Sequence, residues 1–387
     1  MGDEMVKAID LYQLDSEWPA EYQTMIDQVR RFVNQEVLPT LAQSNEDATF
    51  PRAIIDGVRR LGILELHAAG ELDPYAYGLV LRELERGSSG LRSFVSVQGS
   101  LVMSTIEMFG SEQQKSEWLN PLGTLDKIGC FGLTEPDFGS NPSGMLSTAT
   151  KTESGYRLNG TKCWITNGTM ADVAIIWAKL DGKVNAFLVE TDRPGFQANP
   201  IKGKWSFRAS DTAELVLEGV DIPESNRLPK ATSLGYALKS LNKARYGIAW
   251  GVIGAAKAAL EETINYLKNR PQFAGKPLTT HQLVQSKLAW MATEITSMDL
   301  IAKRLAELNC SGKLEPHHIS LAKMNNCRKA LEVTRTCREL LGANGIHDEY
   351  LVGRRMLDLE TVITYEGTEH IHSLVIGEYL TGDRAYM

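Results

Sequence analysis

The chain has 387 residues, and at ~150 residues per domain this length predicts two or three domains. Its 41 Lys and Arg side chains against 48 Asp and Glu leave a net charge of −7, which disfavours a broad nucleic-acid or anionic-membrane surface. With 43% hydrophobic residues the chain can bury a core, and its five cysteines, an odd number without close pairs, argue against a disulfide framework or zinc ribbon.

Apolar residues recur at helical spacing four times in the first third of the chain. These segments are 16–37, which Leu38-Pro39 ends, then 54–61, 74–84 and 94–109. After a helix stop at Gly110, Ser111 and Gln114 have the spacing of a capping box that begins another helix. We therefore expect residues 1–128 to form an N-terminal helical domain.

The pattern changes to short alternating runs in the middle of the chain. Residues 156–165 read as two strands joined by Asn159-Gly160, a strong hairpin signal. Further strands are expected at 173–178, 186–189 and 213–217. Residues 129–230 are therefore predicted to form a middle domain with an antiparallel sheet, as a small barrel or sandwich.

Helical spacing resumes near residue 234 and continues to the end of the chain. Four helices are predicted, at 234–267, 280–309, 314–342 and 369–380. Short connections between them favour an antiparallel four-helix bundle over residues 231–387. The predicted fold is mainly α with a central β domain.

Common signatures for nucleotide binding, zinc proteolysis and serine hydrolysis are absent from the sequence. It contains no G-x-G-x-x-G after a strand, no G-x-x-x-x-G-K-[ST], no H-E-x-x-H and no G-x-S-x-G. The segment 130–142, rich in Gly and Pro, has exposed amides and hydroxyls that suit a flat heterocycle or a phosphate, although an ordinary turn is the simpler interpretation.

Glu366 is the candidate catalytic base because it stands in a short break just before the last predicted helix. Gly367 allows a positive φ there, and an apolar cleft would raise the pKa of the carboxyl. The alternative is a structural role, in which Glu366 caps the helix or pairs with Arg354 or Arg355. His370 and His372 suit opposite helix faces and have no third ligand, so no metal is expected.

Arg92 is the candidate carboxylate ligand, because a guanidinium can hold a carboxylate through two parallel hydrogen bonds. It opens an otherwise apolar helix together with Ser93 and Ser96. The alternative is a solvated side chain or a surface pair with Glu85, which would contribute ~0–1 kcal/mol.

Taken in order, these segments resemble the acyl-CoA dehydrogenase family over almost the whole chain. The F-x-L-T-E-P-x-x-G-S run, the W-I-T run and the R-P-Q-F, L-L-G-A-N-G and Y-E-G-T runs carry the resemblance. It implies FAD as cofactor, with Glu366 as catalytic base. The flavin contacts that it implies, some of them from a neighbouring subunit, are Phe131, Leu133, Thr134, Gly139, Ser140, Trp164, Ile165, Thr166, Arg270, Gln272, Phe273, Gln282, Glu339, Gly342, Thr368 and His370.

Within the family the sequence is similar to the glutaryl-CoA dehydrogenases, through R-E-L-E-R-x-x-S-G-x-R-S, A-R-Y-G-I-A-W-G and T-Y-E-G-T. That likeness implies oxidative decarboxylation of glutaryl-CoA to crotonyl-CoA, with Arg92 holding the distal carboxylate. The substrate contacts that it implies are Glu85, Arg92, Ser93, Ser96, Ser140, Arg245, Tyr365 and Gly367.

The resemblance also implies partners and a compartment. We expect an electron-transfer flavoprotein as electron acceptor and a homo-oligomer, as a tetramer, with no nucleic acid or membrane as partner. A cytoplasmic location is expected, or the mitochondrial matrix for a processed eukaryotic chain.

One departure from the family keeps two other functions open. The connection at 66–74, which borders the acyl site in the family, is several residues shorter than usual. A related flavin dehydrogenase or oxidase acting on another short acyl-CoA or acyl-carrier-protein thioester is therefore one alternative. A non-catalytic relative without FAD is the other.

Overall fold

The computed structural model describes residues 9–385. Residues 1–8 and 386–387 lie outside the described residues. Within 9–385 the chain forms helices, then one large sheet, then long helices, so the predicted helix, sheet and helix architecture is confirmed. The search of the described helices for one with the length and hydropathy needed to cross a bilayer finds none.

The N-terminal helices pack into the larger of two hydrophobic clusters. They are α1 Ala20–Phe32, α2 Leu41–Asp47, α3 Ile55–Arg60, α4 Ile63–Ala68, α5 Pro74–Gly87, α6 Ser89–Ser96, α7 Ser104–Phe109 and α8 Glu112–Gly123. The capping box of Ser111 and Gln114 is confirmed, since each side chain bonds the other residue's backbone N–H.

The predicted first helix, 16–37, begins too early, whereas its end at Val37 is confirmed. The helix begins at Ala20, after Pro19, and passes through a π-helical turn at Val33–Val37. Pro39 does not stop the chain, because it occupies an early position in a new 3-10 turn, Leu38–Thr40, where its missing N–H has no helical partner to lose.

The middle of the chain folds into a seven-stranded sheet with order β1-β4-β2-β3-β7-β6, in which β5 also pairs with β4. The strands are β1 Gly129–Gly132, β2 Thr148–Lys151, β3 Gly155–Thr166, β4 Val173–Leu180, β5 Lys183–Glu190, β6 Phe196–Pro200 and β7 Thr212–Pro223. The sheet is not purely antiparallel as predicted, because both β1 and β2 pair with β4 in parallel.

The predicted hairpin at Asn159-Gly160 is wrong, because both residues lie inside the single long strand β3. The irregularity lies in the neighbouring strand β7, where the register of its pairing with β3 skips Gly219. There the Asn159 side chain accepts a hydrogen bond from the Gly219 N–H at 2.8 Å. Gly160 is needed because a Cβ would come within 2.2 Å of the Ser147 hydroxyl. This Asn-Gly pair therefore marks a bulge and a close approach.

The C-terminal part contains one helix more than the four expected. Its helices are α9 Leu234–Lys268, α10 Gln282–Cys310, α11 Pro316–Leu340, α12 Leu351–Thr364 and α13 Glu369–Thr381, with a two-stranded hairpin of β8 Pro271–Gln272 and β9 Lys276–Pro277 between α9 and α10. The sequence pattern missed α12 because its buried face includes Arg355 and Asp358, which interrupt the apolar spacing.

The two helical parts meet where α9 crosses α5 at very short range. A Cβ added at Gly254 would lie 1.8 Å from the backbone oxygen of Arg82, and one at Gly247 would lie 2.4 Å from the Leu81 side chain. At Gly251 it would lie 2.1 Å from the Glu85 carboxylate. These glycines bring α9 against α5 so closely that Glu85 is held in a fixed place beside Arg92.

We expect Gly254→Ala to destabilise the protein by about 1–3 kcal/mol, the usual cost of an overpacked core, because the backbone of α5 cannot yield as a side chain could. The free energy of unfolding from a denaturant titration measures the effect. Gly235→Ala is the matched control on the same helix, since only the Ser233 hydroxyl lies near, at 3.5 Å. Equal effects of the two substitutions would contradict the close crossing.

Candidate active site

The break between α12 and α13 places Glu366 in a strained loop. Glu366 has φ +52° and Gly367 has φ +98°, two consecutive residues in the left-handed region. A Cβ at Gly367 would lie 3.1 Å from His372 Nε2 and 3.2 Å from Arg245 Nη2, so space as well as φ requires glycine there. The loop presents the Glu366 side chain in a conformation that an ordinary helix end would not give.

The structural roles considered for Glu366 are both wrong. The cap of α13 is Thr368, whose hydroxyl accepts the Ile371 N–H at 3.4 Å. Arg354 pairs instead with Asp348 at 3.2 Å, and Arg355 pairs with Glu262 at 2.8 Å.

One oxygen of the Glu366 carboxylate is buried and lacks a hydrogen bond. This atom, Oε2, has no hydrogen-bond partner within residues 9–385. Burial raises the pKa of this carboxyl above its ordinary value, while the charges of Arg92, Arg245 and Lys323 oppose the rise. A carboxylate in such surroundings is a stronger base than one in water.

Arg92 lies in the same buried cluster, so the alternative of a solvated side chain or a surface pair is wrong, although its partner is indeed Glu85. The side chains of Arg92 and Glu85 are both 0% exposed, and Arg92 Nε donates to Glu85 Oε2 at 2.5 Å. Arg92 Nη2 donates to the Tyr365 hydroxyl, next to Glu366. Its third nitrogen, Nη1, has no acceptor among the described residues. Ser93 and Ser96 are buried on the same helix, α6.

Two basic residues hold the backbone of the Glu366 loop. Arg245 Nε donates to the Glu366 carbonyl oxygen at 2.7 Å, and Lys323 Nζ donates to the Gly367 carbonyl oxygen at 2.8 Å. Arg245 was expected at the site, whereas Lys323 was not. The available signal was a lysine in phase with the apolar face of α11, whose buried positions include Ile319, Ala322 and Ala330.

The residues implied as flavin contacts on β1 and β3 lie side by side. The Cys163 N–H donates to the Thr134 carbonyl oxygen at 2.9 Å, which joins the two segments. Phe131 and Leu133 are buried in the larger hydrophobic cluster, Ile165 is buried in the smaller one within the sheet, and Thr166 ends β3. Trp164 differs from them, because its φ of +63° turns it out of the strand and leaves the residue 60% exposed.

A buried ion pair organises the loop that follows β1. Lys162 Nζ donates to Glu135 Oε1 at 2.7 Å and to the Leu133 carbonyl oxygen at 3.2 Å. Glu135 also accepts the backbone N–H groups of Leu146 and Ser147. The loop is thereby closed on itself, and it exposes Gly139 and Ser140 between these contacts.

The remaining implied flavin contacts lie on the surface and not in the buried cluster. Phe273, at 78% exposure, projects from the β8–β9 hairpin, and Glu339 pairs with Lys287. The other exposed members of this group are Arg270, Gln272, Gln282, Gly342 and His370. In a single copy of the chain these residues are therefore exposed to solvent.

The loop before β7 links the sheet to the Glu366 cluster. The ring of Phe207 packs edge to face on Tyr365, with centroids 5.8 Å apart. The Phe207 N–H donates to the Asp358 carboxylate on α12 at 2.8 Å. The sheet that carries Thr134 and Trp164 is thus fixed relative to the loop that carries Glu366.

Three family models match the chain in sequence order. They are the acyl-CoA dehydrogenase N-terminal domain at residues 19–126, the middle domain at 130–220 and the C-terminal domain at 234–381. The chain belongs to the acyl-CoA dehydrogenase family.

Similar proteins of known name cover nearly the whole chain. The short-chain specific acyl-CoA dehydrogenase of Rattus norvegicus mitochondria is 35% identical over 94% of this chain and 91% of its own. A crystal structure of a glutaryl-CoA dehydrogenase from Mycobacterium smegmatis in complex with FADH2 is 46% identical, with TM-score 0.95 over 98% and 99% of the chains. A glutaryl-CoA dehydrogenase in complex with glutaryl-CoA is 32% identical, with TM-score 0.89 over 95% and 97%.

The residues present fit FAD, which is the cofactor of this chain. A flat ring system needs an aromatic surface at the edge of the sheet, and the exposed Trp164 beside Thr134 and Thr166 offers one. The Glu366 Oε2 atom is buried and has no hydrogen-bond partner among the described residues, so it is available to interact with a bound reactant. The chain is therefore a flavoprotein and an oxidoreductase that acts on an acyl-CoA.

We expect Glu366→Gln to stabilise the protein at neutral pH, by about 1.4 kcal/mol for each unit by which folding raises the pKa of Glu366. Between the ordinary pKa and the raised one, the folded state binds more protons than the unfolded state, so wild-type stability falls as pH increases. The gain should therefore vanish as the pH falls through 4.5, the ordinary value.

Denaturant titrations of the FAD-loaded protein at several pH values measure this difference. Glu360→Gln is a control on an exposed carboxylate that pairs with Arg335. A stabilisation by Glu366→Gln that did not depend on pH would contradict a raised pKa of the Glu366 carboxyl.

Proposed function

We propose that the protein is a glutaryl-CoA dehydrogenase that oxidises and decarboxylates glutaryl-CoA to crotonyl-CoA. The single observation that carries the proposal is the Arg92 side chain, fully buried and bonded through two of its nitrogens, with Nη1 left without an acceptor. A distal carboxylate is the group that such a nitrogen binds most strongly.

In this proposal Glu366 removes the α-proton of the thioester. The base is pre-positioned by its loop, and burial has already raised the pKa of its carboxyl, so proton transfer from carbon is less unfavourable than to an exposed carboxylate. FAD, when bound, supplies the acceptor for the β-hydride. The backbone amides near Glu366 and Gly367 are the chain's own candidates to stabilise negative charge on the thioester oxygen.

Decarboxylation follows from where Arg92 would hold the acid. The bond from the γ-carbon to the carboxylate breaks, carbon dioxide leaves, and the electron pair is delocalised through the new double bond onto the thioester. Protonated Glu366 then returns its proton to the γ-carbon, which gives crotonyl-CoA. The contact from Arg92 to Tyr365 keeps the distal acid and the base close enough for one carboxyl group to serve both steps.

The proposal includes an electron-transfer flavoprotein as acceptor and a homotetramer. The large apolar side chains of Phe273, Leu283 and Ile346 are 78%, 82% and 79% exposed at the end of the bundle where α9 ends. A second copy of the chain would cover them and receive the implied flavin contacts on the β8–β9 hairpin. Sedimentation that finds a monomer with bound FAD would contradict this part of the proposal.

We expect Arg92→Ala to lower kcat/KM for glutaryl-CoA ~10–100-fold more than for butyryl-CoA, since charge-assisted hydrogen bonds to the distal acid are lost only in the first case. Butyryl-CoA serves as the internal control for damage to the fold. Arg92→Lys, which keeps the charge and loses the fork, should lie between wild type and Arg92→Ala.

Flavin content and thermal unfolding accompany the kinetics of each variant. Equal losses for the two thioesters would contradict the assignment of Arg92. In that case the similarity to short-chain specific acyl-CoA dehydrogenases would favour a short acyl-CoA without a distal carboxylate as substrate.

A further inference from the structure

Lys323 is a buried lysine for which the proposed reaction has so far given no role. It lies on α11 at 1% exposure, on the face that packs against α12 and α13. Burial opposes the charged form and lowers the pKa of Lys323 to about 8. A lysine in this position needs compensating acceptors to remain charged.

Those acceptors are carbonyl oxygens of the loop that carries Glu366. Lys323 Nζ lies 2.9 Å from the Tyr365 oxygen, 2.8 Å from the Gly367 oxygen and 3.4 Å from the Ile363 oxygen. Arg245 takes the intervening Glu366 oxygen at 2.7 Å. Three consecutive carbonyl groups, from 365 to 367, are thus bound by two cations.

This arrangement answers a specific need of the backbone. Ile363 belongs to the last turn of α12, where carbonyl groups lack helical partners and carry partial negative charge. The next residues cannot continue the helix because Glu366 and Gly367 have positive φ. An ammonium group with three donors can satisfy carbonyls that point in different directions, which a second peptide segment could not.

The same helix fixes the far side of the loop. Ser320, one turn before Lys323, lies with its hydroxyl 3.1 Å from Nδ1 of His372 on α13. The His372 ring in turn lies against Gly367. The loop is therefore held between α11 and α13, with Lys323 at its centre.

The charge of Lys323 also acts on the Glu366 carboxyl. Several other titratable or charged groups surround this pair. These groups are Glu85 and Tyr77 on α5, Arg92 on α6, Arg245 on α9, Cys327 on α11, Tyr365 in the loop and His372 on α13. Arg92 forms an ion pair with Glu85, and Arg245 donates a hydrogen bond to the Glu366 carbonyl oxygen. Lys323, like Arg245, both binds the loop and opposes the effect of burial on the base.

We propose that Lys323 is a positioning residue for catalysis, which holds the Glu366 loop in its left-handed conformation and keeps the base ionisable. This inference rests on the proposed role of Glu366 as base and does not depend on which acyl thioester is the substrate. It predicts that kcat depends on Lys323 while KM does not, because Lys323 touches the loop and not the substrate.

The test uses Lys323→Met, which keeps the length of the side chain and removes its charge and donors. Infrared difference titration of the FAD-loaded protein follows the carboxyl band that Glu366→Gln abolishes, and so reads the base without any substrate. We expect the midpoint of this band to rise by about one pH unit or more in Lys323→Met, the shift typical of losing a nearby opposite charge. We also expect kcat to fall ~10–100-fold, with KM within ~3-fold of wild type.

Two further variants complete the comparison. Lys323→Arg keeps the charge and should recover the infrared midpoint to within about half a unit, with partial recovery of kcat. Lys329→Met is the matched control on the same helix, because Lys329 pairs with Glu294 and Glu332 instead of the loop. It should leave midpoint, kcat and KM as in wild type.

An unchanged infrared midpoint together with an unchanged kcat in folded Lys323→Met would overturn the inference. So would a rise in KM without a change in kcat. If Glu366→Gln kept full activity, the proposed base would fail instead, and the two failures are distinguishable because the infrared titration does not require turnover.

If Lys323→Met does not fold, the inference is tested by comparing wild type with Lys323→Arg, since both keep a basic side chain at this position. Since the pKa of Lys323 is lowered to about 8, wild-type kcat should show a transition near that pH that Lys323→Arg lacks. Identical profiles of wild type and Lys323→Arg from pH 6 to 10 would count against the inference.

Discussion

The constraint on which the structure depends is the burial of a carboxylate on a loop that cannot be helical. Glu366 and Gly367 have positive φ, and the carbonyl groups around them lie out of water at the end of α12. Left unsatisfied, each of these carbonyl groups would cost about 1–3 kcal/mol, a large fraction of the stability of a typical protein. Hydrogen bonds from Arg245 and Lys323 make the conformation tenable, and they come from α9 and α11, far apart in the chain.

Several features of the fold serve this arrangement. The glycines of α9 let it approach α5, and Gly251 in particular leaves room for the Glu85 carboxylate that anchors Arg92. Phe207 connects the sheet to Tyr365 by packing against its ring, and the Tyr365 hydroxyl accepts a hydrogen bond from Arg92. Packing against both helical parts therefore positions the Glu366 carboxylate, the Arg92 guanidinium and the edge of the sheet. A change in any one of these contacts would displace the other groups.

Much of the fold follows from local pattern, and much of the site does not. Helical periodicity correctly predicts α9, α10, α11 and α13, but buried Arg355 and Asp358 conceal α12. Asn159-Gly160 was misread as a turn because the bulge is decided by its partner strand. Motifs single out Glu366 and Arg92, yet the role of Lys323 as donor to three carbonyls arises from contacts between residues 40 to 44 positions apart.

The most direct measurement is an anaerobic titration of the FAD-loaded protein with a panel of acyl thioesters, followed by flavin absorbance and by release of carbon dioxide. The account predicts that glutaryl-CoA bleaches the flavin with release of carbon dioxide, and that Glu366→Gln abolishes both signals. Bleaching by butyryl-CoA or a carrier-protein thioester with no response to glutaryl-CoA would contradict the proposed substrate. Bleaching that survives in Glu366→Gln would contradict the central claim that the buried loop carboxylate is the base.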